Sequence, residues 1–450
     1  MNALQYIAML FQTGLGNLAA YLAAHVLLCL LPAFFIAGAL TALVPKEAIT
    51  RFLGRRASKW VSYPAALLAG SVLAVCSCTI LPLFAGIRKR GAGLGPALTF
   101  MFFAPASNIL AIMFTGLKIG MDIALARILL CMVFGVSIGL IMSWLFRKEE
   151  EAQAAKDDSA FADSAGMPAY IWLFFALLVA VLLTGTLQVG LLRTPFATFT
   201  VPAAWASTFQ AWLDGVVPSN AALGIEGVSV HGILLIVLLA LIGVTAFRGL
   251  NKVQERFSAW SLIALLLISM TLVIAAFQVT VDGERLRVGF TGRLVLELVL
   301  LGALWVMAVK FMEREKVLEW LWEMWRFVRQ IIPLLVSGVF IAGLARALIP
   351  PLWIKAVAGR NTVLGNLVPV IFAIFMYFPT LVEVPVAQTF LALGMHRGPL
   401  LAYLLADPEL SLQSVLVTGK IIGKKKTALY VILVGLFSMA AGLIYGRFAA

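Results

Sequence analysis

The stretch Cys78–Gly120, CTILPLFAGIRKRGAGLGPALTFMFFAPASNILAIMFTGLKIG, decides how this chain is read, because displaced by 303 positions it lies over Leu381–Gly423 without a gap. Ten places are then identical: the apolar pairs Leu98/Leu401 and Ile119/Ile422, and Pro82/Pro385, Gly91/Gly394, Gly95/Gly398, Pro96/Pro399, Pro105/Pro408, Thr115/Thr418, Gly116/Gly419 and Gly120/Gly423. Seven of them are Gly or Pro, residues that fix backbone shape, so the two stretches are expected to share breaks and turns. Matches of general membrane composition would fall mostly on Leu instead. Upstream the likeness continues with a small slip, since Leu31-Pro32 answers Ile332-Pro333 and Gly54-Arg55 answers Gly359-Arg360. A duplicated unit is expected, about 20–146 and 328–446, separated by an inserted block of four spans.

The surroundings of these stretches are apolar. At 450 residues, 62% hydrophobic and 12% charged, the chain carries more apolar surface than one soluble core can bury, so lipid is its solvent. Apolar runs long enough to cross a bilayer recur at 19–44, 121–146, 169–192, 258–279 and 427–446, with Asp122 and Arg127 the charged residues among them. Met1 leads through an uncharged stretch into the first span without a signal-peptide pattern, so the N-terminus is expected to stay attached. The net charge of +13 does not point to nucleic acid, because Lys and Arg are spread over short loops and not gathered on one face.

Those charges choose the topology. If 60–87 and 363–393 both cross fully, Lys and Arg divide 17 to 16 between the two sides, with Arg127 set aside inside a span. If both are re-entrant hairpins turning back at their Pro-containing breaks, one side collects 23 and the other 10, as the positive-inside rule requires. The expected fold is therefore an all-α polytopic membrane protein of about ten transmembrane helices plus two re-entrant broken hairpins, with an inverted internal repeat. Residues 1–146 form the first repeat (hairpin 60–88, broken span 95–117) and 328–450 the second (hairpin 361–394, broken span 397–419). Between them lie a polar linker, 147–168, expected as a mobile cytoplasmic loop, and a membrane block, 169–327. Residues 310–329, with Trp320, Trp322 and Trp325 among both charge signs, read as an amphipathic helix in the headgroup region. Asp282-Gly283 within VTVDGERLRV reads as a small external hairpin.

Polar atoms interrupt the apolar runs at matching places. The first hairpin holds Cys76, Ser77, Cys78 and Thr79 ahead of Pro82, whose ring leaves the Cys78 carbonyl without its helical donor. Two thiols, two hydroxyls and a bare carbonyl can then converge on a solute; the alternative is that small residues simply allow close helix packing. The second hairpin has Glu383 beside Pro385 at this level. An acid in mid-membrane faces a cavity and carries a proton or cation, or else is a hydrogen-bonded structural group. The following spans are broken at Pro105, with Ser107 and Asn108, and at Pro408, with Asp407 and Glu409; the alternative for Asp407-Pro408 is a shallow aqueous loop. Inverted symmetry brings Cys76, Cys78, Asn108, Glu383 and Asp407 into one neighbourhood.

Other candidates are weaker. Cys29 and Cys131 read as core residues, and His25, His231 and His396 are too scattered for a metal site. Glu297, one turn inside a span, reads as pairing near the surface. Residues 419–425, GKIIGKK, lack the glycine spacing and hydroxyl of a phosphate loop, so no nucleotide engine and no cofactor is expected.

At CSCTILPLFAGIRKRGAGLGPALTFMFFAPASNILA and again at FPTLVEVPVAQTFLALGMHRGP the chain resembles the predicted bacterial permeases that include the organoarsenical efflux permeases. The resemblance covers both repeats, roughly 250 residues. It implies an inner-membrane carrier and, for the arsenical branch, export of trivalent organoarsenicals, with Cys76 and Cys78 as soft metalloid ligands. The expected function is a secondary permease for a small soft solute, coupled to protons through Glu383 or Asp407. A passive channel and a membrane-embedded thiol enzyme are its rivals. Its expected partners are the lipid bilayer and a small solute, with no nucleic acid; nothing in the sequence indicates an oligomeric state.

Overall fold

A computed structural model describes residues 3–23, 30–44, 46–55, 57–72, 77–107, 109–157, 168–186, 190–217, 227–348, 356–375 and 380–448. The first half runs α1 (Ala3–Tyr21), α2 (Leu31–Ala42), α3 (Lys46–Leu53), α4 (Lys59–Val72), α5 (Ser77–Lys89), α6 (Leu94–Ala106), α7 (Ile109–Lys118), α8 (Met121–Leu145) and α9 (Arg147–Asp157). The inserted block holds α10 (Ala169–Thr186), the short α11 (Gly190–Arg193), β1 (Pro195–Pro202), α12 (Ala204–Val216), α13 (Val230–Gly249), α14 (Ala259–Ala275), β2 (Gln278–Asp282), β3 (Arg285–Thr291) and α15 (Gly292–Lys310). The second half follows as α16 (Arg314–Leu348), α17 (Val363–Phe375), α18 (Thr380–Ala392), α19 (Arg397–Leu410), α20 (Leu412–Ile422) and α21 (Lys424–Phe448).

The 303-residue offset reappears in the backbone. Helices α5, α6, α7 and α8 begin at Ser77, Leu94, Ile109 and Met121, and α18, α19, α20 and α21 begin 303 residues later in each case. Gly91 and Gly394 both adopt φ 91°, a left-handed conformation that costs glycine nothing. They end α5 and α18 in the same way: Gly91 donates to Arg88 and Ala92 to Ile87, while Gly394 donates to Leu391 and Met395 to Phe390. Both are Schellman caps.

Each candidate hairpin consists of two helices of 13 or 14 residues, about 20 Å long and so shorter than a bilayer core. The chain comes back to where it started. Gly93 donates to the Leu53 carbonyl, and Gly54 and Ala92 form an isolated bridge, so the segments before α4 and after α5 lie side by side. His396 donates to the Ala358 carbonyl in the same way across α17 and α18. The prolines are not where these units turn, contrary to the sequence reading. Pro82 and Pro385 sit inside α5 and α18, at the sixth helical position, where a missing N–H costs only one bond near the helix start. The segments 73–76 and 376–379 lie outside the described residues. Pro105 and Pro408 are likewise inside α6 and α19, and the chain bends just after them, by 41° between α6 and α7 and 48° between α19 and α20.

Every residue of α6 is buried, as is every residue of α19 from Gly398 on, so these two half-spans are surrounded by protein. Tight glycine contacts make that possible. A Cβ on Gly95 would lie 2.7 Å from the Gly139 carbonyl, and one on Gly398 would lie 2.5 Å from that of Gly442, again a pair offset by 303. By length and composition, α8, α13, α15, α16 and α21 can cross a membrane, or seven spans if each bent pair counts as one. Ten are expected from the sequence; α2, α10, α14 and α17 are apolar but shorter.

The predominantly helical fold carries one small sheet: β2 and β3 form the expected hairpin at Asp282-Gly283, and β1 joins them in antiparallel order β1-β3-β2. Two local expectations are corrected. The Trp-rich segment belongs to α16, one 35-residue helix running on through Pro333. Trp320 and Trp325 are buried in it and donate to Phe35 O (2.9 Å) and Asn251 Oδ1 (2.7 Å), so they serve protein packing and not headgroups. The start of the polar linker is no loop but α9, docked through Glu150. That carboxylate accepts from Arg88 (2.8 and 3.1 Å), from Arg55 (3.0 Å) and from the first N–H of α6 at Leu94 (3.1 Å). Glu149 pairs with Lys426 at the start of α21 (2.9 Å), so α9 touches both halves.

Burial alone would raise the Glu150 carboxyl, but Arg88 and Arg55 outweigh it and hold it below the usual carboxylate range. A lowered native value means that docking is fully present above the ordinary carboxylate pKa and is lost as pH falls through the native one. Protease cleavage in 147–157 should therefore accelerate at acid pH, and Glu150→Gln should show the fast pattern already at neutral pH. Gly442→Ala should lower thermal stability by about 1–3 kcal/mol through overpacking. Gly302→Ala, in a helix with open space around it, should instead be neutral or stabilising by up to about 1 kcal/mol.

Candidate solute site at the broken helices

Arg127 is the largest fully buried side chain among the described residues. It projects from the seventh position of α8, and three elements meet on it. Its Nε donates to the carbonyl of Ala106 (2.8 Å), the last residue of α6, where helix geometry leaves carbonyls without partners. Its Nη1 donates to Thr115 Oγ1 in α7 (3.3 Å), and Nη2 grips both oxygens of Glu383 in the first turn of α18 (2.9 and 3.1 Å). Glu383 is 1% exposed, so the ion pair is wholly inside the protein. A cation at the carboxyl end of α6 and an acid at the amino end of α18 also suit both helix dipoles.

The offset places Tyr430 where Arg127 stands, and Glu409 where Ala106 stands. Tyr430 donates to Glu409 Oε2 at 2.6 Å, so the same two slots are again joined by a side-chain donor. Asp407 lies one turn after Tyr403, within electrostatic reach of Glu383 and Arg127. It is 2% exposed, which excludes a shallow aqueous loop, and the Tyr403 phenol faces it without closing a hydrogen bond of full geometry among the described residues. The equivalent rings Phe134 and Phe437 meet at 5.0 Å between centroids, so α8 and α21 touch at matching positions.

The sequence-derived candidates divide as follows. Glu383 and Asp407 come together, and Ser107, at the end of α6, lies beside Cys131 one turn beyond Arg127. Glu409 is buried next to this group, and Pro105 and Pro408 are buried within α6 and α19. Ser77 and Thr79 are buried in the first turn of α5, which packs on α20, while α18, carrying Pro385, packs on α7. Cys76 and Asn108 lie outside the described residues, as does the side chain of Cys78. No cluster of His, Cys, Asp or Glu able to hold a metal occurs among the described residues. Glu297 is 2% exposed, accepting from Thr184 (2.8 Å) with Arg293 one turn before it within electrostatic reach. His396 caps α19 through Gly398.

Three contributors are missed by the sequence reading: Arg127, Cys131 and Tyr430. A cation inside a span is itself a signal of a paired interior site. Cys131, placed in the generic core, lies within electrostatic reach of Arg127, Glu383 and Glu409.

Comparison with known proteins matches residues 13–447 to a family described as predicted permeases. The chain belongs to that family. The permease is also 31% identical over 447 residues to the UPF0718 protein MJ0584 of Methanocaldococcus jannaschii, covering 99% of this chain and 98% of the archaeal one. No solved structure matches it. Its apolar helices make it a multi-pass membrane permease, and its spans converge on the buried cluster around Arg127.

Removing one partner of a buried ion pair strands the other charge. Arg127→Gln should therefore destabilise the permease by about 3–5 kcal/mol in thermal unfolding, and adding Glu383→Gln should restore most of that loss.

Proposed function

We propose that this permease is a secondary transporter of the cell inner membrane that exports a small soft, thiol-reactive solute by alternating access, driven by protons. The solute class is trivalent organoarsenicals or related metalloids, with Cys76 and Cys78 as soft ligands and Glu383 or Asp407 exchanging the proton. The observation that carries this reading is the cluster of one cation and three acids buried where two broken spans meet. Buried ionisable groups at membrane depth are costly to keep and mark ion and solute pathways. The hairpins, the residue ranges of the two halves and their inverted orientation belong to the same proposal: two half-inserted elements whose tips face a shared cavity. Chemistry on the solute is not part of it: a thiol nucleophile needs a nearby base, and of the described histidines His231 starts α13 and His396 caps α19, away from the cluster.

Inverted vesicles containing the permease should accumulate phenylarsine oxide, and an uncoupler should abolish the accumulation. Expression in a sensitive strain should confer resistance that Cys76→Ser removes. Uptake that ignores the uncoupler would exclude proton drive, and full resistance with Cys76→Ser would exclude the thiol as a ligand.

A further inference from the structure

One buried cation can balance one buried carboxylate, and this cluster has three. Arg127 is taken by Glu383 in a two-point grip, and its Nε is held on the Ala106 carbonyl. Glu409 is held by the Tyr430 phenol. Asp407 is as deeply buried as the others, yet no guanidinium grips it, and the Tyr403 phenol that faces it closes no hydrogen bond of full geometry. The groups that face it are Tyr403 of its own helix, Arg127 of α8 and Glu383 of α18. An ionised carboxylate left unpaired in such a place costs several kcal/mol, so Asp407 needs either a proton or the guanidinium already occupied next to it.

We infer that Arg127 is a two-position switch shared by Glu383 and Asp407, and that these two acids hold one proton between them. With the guanidinium on Glu383, the proton is on Asp407. When the O–H bond at Asp407 breaks, the proton passes through water to form a new O–H bond at Glu383, and Arg127 moves the opposite way. The three groups carry no net charge before or after, so the exchange never strands a charge in the membrane. It has a mechanical consequence, because Glu383 belongs to α18 and the guanidinium is anchored to the end of α6: freeing Glu383 releases the second hairpin from the first broken span. Arg127 is thus the positioning residue that links proton movement to rearrangement. This rests on the proton-driven reading above and deepens it by separating the roles of Glu383 and Asp407.

Infrared difference spectroscopy of the full-length protein in liposomes, without solute, reads protonated carboxyl groups directly. Wild type should show a carboxylic-acid band that Asp407→Asn removes. Glu383→Gln should remove the same band, because the released guanidinium moves to Asp407 and deprotonates it. Adding Arg127→Gln to Glu383→Gln should bring it back. A merely structural ion pair would leave Asp407 protonated in Glu383→Gln, and a band persisting in that variant overturns the switch. Asp407→Asn leaves the Arg127–Glu383 pair intact and gives an independent arm: identical bands in wild type and this variant also overturn it. Because no solute is involved, the result stands whichever compound is carried. Uncoupler-insensitive transport by a protein with the expected bands would count instead against the proton-driven reading.

Discussion

Inside a bilayer no water satisfies a polar group, so each helix that stops there must have its end satisfied by protein. Arg127 meets that requirement for this fold. One side chain covers the terminal carbonyl of α6, the hydroxyl of Thr115 and the carboxylate of Glu383. The break after Pro105 and the start of α18 are therefore fixed against each other by a single guanidinium, which a lysine, lacking the planar fork, could not replace.

The remaining architecture serves to bring those ends together. Fully buried α6 and α19 need long neighbours that approach closely, and the glycines at 95, 139, 398 and 442 let α8 and α21 do so. Schellman caps at Gly91 and Gly394 turn the chain sharply enough for α5 and α18 to hand over directly to α6 and α19. Far from the cluster, Glu150 fastens the start of α6 to Arg55 and Arg88, so the first broken helix is held at both termini by charge.

What the sequence makes legible is backbone shape. Gly and Pro act locally, so their spacing at 303 residues marks the starts of four pairs of helices, and Asp282-Gly283 marks its turn. Contacts between distant residues are not legible in this way. Arg127 and Glu383 are 256 residues apart, and without its partner the arginine looks like a stray charge in a span. Cys131 looks like any small core residue until Arg127, one turn before it, has a role. Glu150 reads as loop because its neighbours are polar, and only Arg55 and Arg88 explain why that stretch docks as a helix. The tryptophans of 320–325 suggest a surface because aromatic residues favour interfaces, yet their N–H groups find protein acceptors.

The pairing of position 127 with position 430 has a wider consequence. Two matching sockets receive two different plugs, a permanent cation in one and a neutral phenol in the other, and each closes over the residue 21 positions before it. Shape is thereby kept alike while chemistry is made unlike. A machine assembled from look-alike parts acquires a polarity of its own, with its fixed charge on one side and its surplus of acids on the other.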